Sequence, residues 1–358
     1  MSWRTVSITK PQLLSPLAQQ KFKRFKQIRR GYWSAVLLLL LLFASCFAEL
    51  MINNRALLVK YDGAYYFPTY GPVMSGKDFG LDYEYEVNYR QLQEKFEKDM
   101  EGNWVVMPLV PYNEYENDLV EGEYPPYFPS IESEHYLGTD IAGRDVLARL
   151  VYGFRIAIWF SLALLFFSYS IGITVGCLMG FFGGWFDLLS QRLVEIWSNI
   201  PFLYVVMILS SIIVPGFWSL IAIMVVFGWI GMTWYMRTAT YKEKAREYVM
   251  ASRALGASTS RIIFRHILPN SLSIIITFIP FSIAGGIGSL TSLDYLGFGL
   301  PAPTPSWGEL ISQGVDNMES WWILGSVITA LVIVLVLITF VGEAIRDAYD
   351  PKKYTVYE

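Results

Sequence analysis

The chain has 358 residues, 54% hydrophobic and 16% charged, with a mean hydropathy of +0.37. That is too apolar for an ordinary soluble domain and fits an integral membrane protein. The net charge of −3 averages over strongly segregated charges. Two cysteines exclude a disulfide framework or a thiolate metal site; Cys46 and Cys177 lie in apolar runs and read as small buried residues.

Residues 1–31 hold Arg4, Lys10, Lys21, Lys23, Arg24, Lys26, Arg29 and Arg30 and no acid. Next to a span, such a run sets topology and rests on anionic lipid; it is not read as a nucleic-acid site. The first span is expected over 32–52, of bilayer-crossing length. Its long preceding segment argues against a cleaved signal peptide, and FASC at 43–46 only loosely imitates a lipoprotein cleavage site. Residues 53–150 follow, with eight basic and eighteen acidic residues. They predict a small external subdomain with one amphipathic helix near 87–100, flanked by ordered loops rich in Tyr, Pro and Gly. Within it, GPVMSGKD at 71–78 has Asp where a phosphate-binding loop needs Ser or Thr, and Pro72 interrupts it, so a turn-rich loop is expected.

Five further spans are expected over 156–182, 193–214, 217–236, 271–293 and 322–342, making an all-α membrane protein with six transmembrane helices. Loop 237–270 carries seven basic and two acidic residues, whereas 294–321 carries Asp294, Glu309, Asp316 and Glu319 and no base. The positive-inside rule therefore places both termini and loop 237–270 in the cytoplasm, and 53–150 and 294–321 outside. Residues 151–345 form the core and 346–358 a cytoplasmic tail. Gly172, Gly176, Gly180 and Gly184 recur at a spacing of four, predicting one smooth stripe against which a neighbouring backbone packs; the spacing leaves open whether that neighbour is this chain or a partner. Pro201 and Pro280 predict kinks in the third and fifth spans. Ser198, Asn199, Ser210, Ser211, Thr277, Ser282 and Ser292 are candidates to line a pathway, interhelical hydrogen bonding being the alternative for each. The spans carry almost no charge, which disfavours an ion-coupled secondary transporter. His135 and His266 lack metal-ligand spacing, and the sequence shows no credible catalytic constellation or ATP-binding motif, so neither an enzyme nor a metal or cofactor site is expected.

Loop 237–270 is the most informative segment. Over 247–255 the apolar positions Val249, Met250, Ala254 and Leu255 have helical spacing, and Gly256 is a natural stop. A second short helix is expected from Ser258, an N-cap candidate, to Leu268, with Pro269 ending it. Two short helices at a Gly bend make a cytoplasmic knob, and Ala251, Ser252, Ala254 and Ala257 permit close approach. A simple interfacial amphipathic loop is the alternative.

This segment, REYVMASRALGASTSRIIFRHILPN, resembles the EAA loop of permease subunits of ATP-binding-cassette importers, with Gly256, Leu268 and Pro269 in register. It departs from the family pattern at Met250, where Glu is usual, and at His266, where Ile is usual. HYLGTDIAGRDVLARLVYGFRI at 135–156 and LGFGLPAPTPSWGE at 296–309 are similar to segments of the C-type oligopeptide and dipeptide permeases. The enlarged segment 53–134 resembles that of YejE-type permeases. The resemblance implies the type-1 importer transmembrane fold with an enlarged periplasmic segment after the first helix, in a bacterial inner membrane. It implies a second homologous permease subunit, two ATPase domains carrying ATP and Mg, a periplasmic solute-binding protein and a peptide substrate. It assigns coupling to the ATPase to the helix of Glu247, Met250, Ala251, Ser252, Ala254 and Gly256, with Leu268 and Pro269. Glu247, one turn before Met250, is the candidate replacement carboxylate. The rival reading is a membrane receptor or scaffold using 53–134 as a ligand-binding ectodomain.

Overall fold

The computed structural model describes residues 16–99 and 102–350; Arg4 and Lys10 of the basic run and residues 351–358 of the expected tail lie outside them. Helix α1 (Pro16–Gln27) precedes α2 (Arg29–Cys46), the first span. This span ends earlier than expected, and Cys46 is exposed at its end while Cys177 is buried. The buried reading of Cys46 is therefore corrected: a span touching few neighbours turns much of its apolar surface outward.

The segment after α2 holds more order than loops. Strands β1 (Leu58–Tyr61), β2 (Ala64–Tyr66) and β3 (Trp104–Val106) form an antiparallel sheet in the order β2-β1-β3, with Val59 opposite Tyr66 and Val105. Helix α3 (Tyr89–Asp99) lies within the expected 87–100 and contributes Tyr89, Leu92 and Phe96 to a core with Val59, Phe79 and Val105. Residues 76–79 are a short 3-10 turn capped by Ser75 and Asp78. A second cluster, with Ile52, Val110, Tyr112, Ala148 and Tyr152, joins this subdomain to the core.

Helix α4 (Val146–Phe182) is capped by Asp145, which accepts from the Ala148 N–H at 2.7 Å. Its 37 residues extend about 55 Å, well beyond the ~30 Å hydrocarbon layer, so part of it projects out of that layer. Gly183 (φ +66°) ends it and Gly184 (φ +52°) starts α5 (Gly184–Ser198).

The third expected span is two helices, α5 and α6 (Phe202–Ile212), bent by 65°. Pro201 lacks an N–H and cannot continue α5, while Ser198 Oγ and Asn199 Nδ2 both donate to Glu195 O, at 2.9 and 2.7 Å. The fourth comprises α7 (Phe217–Gly228) and α8 (Ile230–Lys244), bent by 41°. At this break the Trp229 and Trp197 indoles both donate to Val226 O, at 2.8 and 2.9 Å. Counting each bent pair as one span gives six. Helix α11 (Leu268–Tyr295) runs through Pro280 without a break, and α13 (Trp321–Tyr349) is the last span.

Gly172, Gly176 and Gly180 face α8. A Cβ on them would lie 2.5, 2.5 and 2.6 Å from the carbonyls of Trp229, Thr233 and Arg237. The packing neighbour is thus within this chain. Gly184 is not part of the stripe, because the chain turns at Gly183 and nothing lies within 4 Å of a Cβ there.

Candidate functional site

Three places concentrate the chemistry. The first is the knob formed by residues 247–270. Helix α9 (Glu247–Ala254) stops at Gly256 (φ +79°): the Gly256 N–H donates to Arg253 O at 3.0 Å and the Ala257 N–H to Ser252 O at 3.1 Å. This is the Schellman arrangement, which needs a left-handed residue at Gly256. Ser258 caps α10 (Thr259–Ile262), accepting from Arg261 N–H. The second short helix does not end at Pro269, as the sequence suggested. Residues 263–267 form a π-turn in which Leu268 N–H donates to Ile263 O, and α11 continues without interruption. The wider turn accommodates a proline at the following position, whose missing N–H and bulky ring disturb a regular ladder.

Val249 is the buried anchor of α9, packed with Ile262, Ile263 and Ile267 in a cluster that also holds Met236 of α8 and Phe181 of α4. Ser252 Oγ meets His266 Nε2 at 3.3 Å, and Asn270 Nδ2 donates to Tyr248 OH at 3.1 Å. His266, at the unusual position of the EAA-like pattern, thus ties α9 to the turn behind it. Glu247, Met250, Ala251, Ala254 and Gly256 are exposed, as is Leu255 at 88%, and Ser252 and Leu268 are half-buried. The exposed face of α9 thus carries small and apolar residues, while Val249 roots it in the cluster with α4 and α8.

The second place is a cavity of about 310 Å³ where α4, α6, α7 and α11 meet. Of the seven pathway candidates only Ser282 lines it, with its Oγ 2.6 Å from Tyr169 OH. Ser198 and Asn199 cap α5; Ser211, Thr277 and Ser292 donate to carbonyls of their own helices; Ser210 reaches Phe298 O at 3.5 Å. The structure does not bring these seven together. It places Ser168, Tyr169 and Ser289 with Ser282 instead. Ser282, Gly285, Gly286 and Ser289 occur at i, i+3, i+4 and i+7, a helical face readable in sequence.

The third place lies at the start of α4 and unites the other two motifs. His135 is sandwiched between carboxylates, Nδ1 2.8 Å from Asp145 and Nε2 3.2 Å from Asp118, with Tyr112 stacked on its ring. Burial opposes its protonation, but hydrogen bonds and charge from Asp118 and Asp145 outweigh it and hold the imidazole pKa above its ordinary value. The His135 bond, against the opposing effect of burial, holds Asp118 below the usual carboxylate range. Nearby, Arg144 donates to Asp140 at 2.7 Å and to Glu309 at 2.8 Å. Arg149, with no exposed side-chain surface, bonds Glu309 and the carbonyls of Glu114, Pro303 and Thr304. Glu309 lies on α12 (Trp307–Asp316), and Trp307 Nε1 donates to Leu150 O at 2.9 Å. Motif 135–156 is therefore fastened to motif 296–309 by buried charge.

Among the described residues no group of three or more potential ligands could hold a metal ion. Residues 172–353 match the family described as binding-protein-dependent transport system inner membrane component. The chain is 40% identical over 342 residues to the inner membrane ABC transporter permease protein YejE of Escherichia coli, covering 95% of this chain and 98% of that protein. It is 38% identical over 373 residues to the peptidoglycan transport system permease protein YejE of Agrobacterium fabrum, covering 98% and 97%. It is 34% identical over 242 residues to the oligopeptide transport system permease protein OppC of Bacillus subtilis, covering 67% and 78%. The receptor or scaffold alternative gains no support from these likenesses. The chain belongs to the binding-protein-dependent transport system inner membrane components, multi-pass helical permease subunits of ABC importers.

Proposed function

We propose that this chain, with a second permease subunit, forms a pathway for peptides, including those derived from peptidoglycan. A periplasmic binding protein delivers the substrate, and separate ATPase subunits, which carry ATP and Mg, drive transport through α9; this chain binds no cofactor. The substrate class follows the names of the oligopeptide and peptidoglycan permeases it resembles. The arrangement is that of a type-1 importer, with both termini and the α9 knob in the cytoplasm, as the charge distribution requires.

The observation that carries this reading is the knob: an exposed short helix, stopped by a left-handed glycine and anchored through Val249 to α4 and α8. In the assembled importer, Ala251→Arg places a long charged side chain on the exposed face. Gly256→Val imposes a β-branched residue at positive φ, at a cost of about 1–2 kcal/mol. Glu247→Lys reverses the charge proposed to replace the absent EAA glutamate. Each variant is expected to insert in the membrane but to lose co-purification with the ATPase and peptide uptake. Unchanged assembly and uptake in both Ala251→Arg and Gly256→Val would remove α9 as the coupling element.

A further inference from the structure

The cavity among α4, α6, α7 and α11 sits where both bent spans break. Phe202 is the first residue of α6 after the 65° bend, and Gly228 is the last of α7 before the 41° bend. Leu164, Leu165, Ser168 and Tyr169 come from the interior of α4, well away from both its ends, so the cavity lies within the membrane-spanning layer. Broken helices at mid-depth are where transporters place substrate contacts, since irregular backbone is tolerated there only when it lines a cavity or is buried in protein.

Its serines differ from others in these spans. Ser161, Ser170, Ser271 and Ser292 each donate to the carbonyl four residues earlier. Ser168 does not: its Oγ is buried, 4% of the residue being exposed, and has no partner among the described residues. Ser289 also makes no hydrogen bond among the described residues, and it is only half-buried. Buried hydroxyls in an apolar setting are normally satisfied. The remaining wall is apolar and aromatic, and no acidic or basic residue lines it. At about 310 Å³ it is at the small end of ligand cavities, enough for a side chain and its adjoining peptide group. Gly285 lines the cavity with nothing within 4 Å of where its Cβ would stand.

We infer that this cavity is a transient subsite for an uncharged, apolar side chain of the peptide in transit, with the serine hydroxyls serving its peptide group. This rests on the peptide-permease reading above. A charged side chain would be left unpaired there. A lipid tail would fill the apolar part but offer nothing to the hydroxyls.

The test uses the whole importer and three labelled probes, Ala-Leu-Ala, Gly-Gly-Gly and Ala-Lys-Ala, with membrane level and subunit assembly measured alongside. Gly285→Leu plugs the cavity without a clash at Cβ and replaces a poor helix former with a good one. It is expected to lower the ratio of Ala-Leu-Ala to Gly-Gly-Gly uptake about tenfold. Ser289→Asp is expected to raise Ala-Lys-Ala uptake relative to Ala-Leu-Ala. Unchanged ratios in both variants, or an equal fall for every probe, overturn the subsite. Failure of the unmutated importer to take up any of these peptides overturns the peptide reading, and the subsite with it.

Discussion

Replacing Glu309 by Gln should destabilise the junction of segments 135–156 and 296–309 more than its partial exposure suggests. Four charges are held together there: Arg144 and Arg149 with Asp140 and Glu309, at side-chain exposures of 7%, 0%, 0% and 24%. Glu309→Gln leaves Arg144 with Asp140 at 2.7 Å, but Arg149 keeps only Asp140 at 3.5 Å and three backbone carbonyls. One positive charge is then uncompensated in a buried setting, a change that costs about 3–5 kcal/mol. Because Glu309 is about a quarter exposed, the expected loss lies near the lower end, about 3 kcal/mol. Arg149→Met should cost a similar amount, since it orphans the three carbonyls and leaves a net negative cluster. The double variant restores neutrality around the Arg144–Asp140 pair and should be at least about 2 kcal/mol better than the sum of the singles. The assay is equilibrium unfolding in mixed micelles read by tryptophan fluorescence, as Trp307 and Trp322 lie in the adjoining cluster. Additivity within about 0.5 kcal/mol, or single losses below about 1 kcal/mol, would refute the view that neutrality of this cluster holds the two motifs together.

The His135 clamp predicts a pH dependence with a definite sign. A raised folded pKa means that its stabilisation is complete below the unfolded value near 6.5 and is lost as pH rises through the folded value. Asp118 adds the opposite limb, losing its contribution as pH falls through its lowered pKa. Protection of residues 112–145 from protease should therefore weaken from about pH 6.5 upward, and His135→Gln should flatten that limb; an unchanged limb would count against the clamp. Gly176→Val should destabilise by about 1–3 kcal/mol, because its Cβ meets the Thr233 carbonyl at 2.5 Å and Met236 Cβ at 2.9 Å. Gly184→Ala, with only positive φ opposing it, should cost about 1 kcal/mol; equal losses in thermal unfolding would contradict the intrachain contact. Orientation is checked in a Cys46→Ser/Cys177→Ala background. Asp316→Cys should react with an impermeant thiol reagent from outside and Ser260→Cys should not; labelling of Ser260→Cys from outside would invert the topology.

Sequence alone carried what depends on local pattern. The apolar runs locate the spans, and the order of residues in 246–270 exposes a helix, a glycine stop and a capped second turn. The spacing of Gly172, Gly176 and Gly180 announces a close contact, because a period of four maps to one helix face. Gly184 fits the same arithmetic and fails, because periodicity assumes an unbroken helix and Gly183 breaks it. The strands were missed because runs of three or four residues carry too short an alternation to read, and their order depends on pairing between residues about forty-five apart, such as Val59 and Val105. Tertiary structure also decided which serines share a cavity: Ser168 and Ser289 are brought together only by α4 packing on α11. It likewise joined Arg149 to Glu309 across 160 residues. A buried charge is stable only where its partner also is, and a one-dimensional pattern does not record which distant segments arrive at the same place.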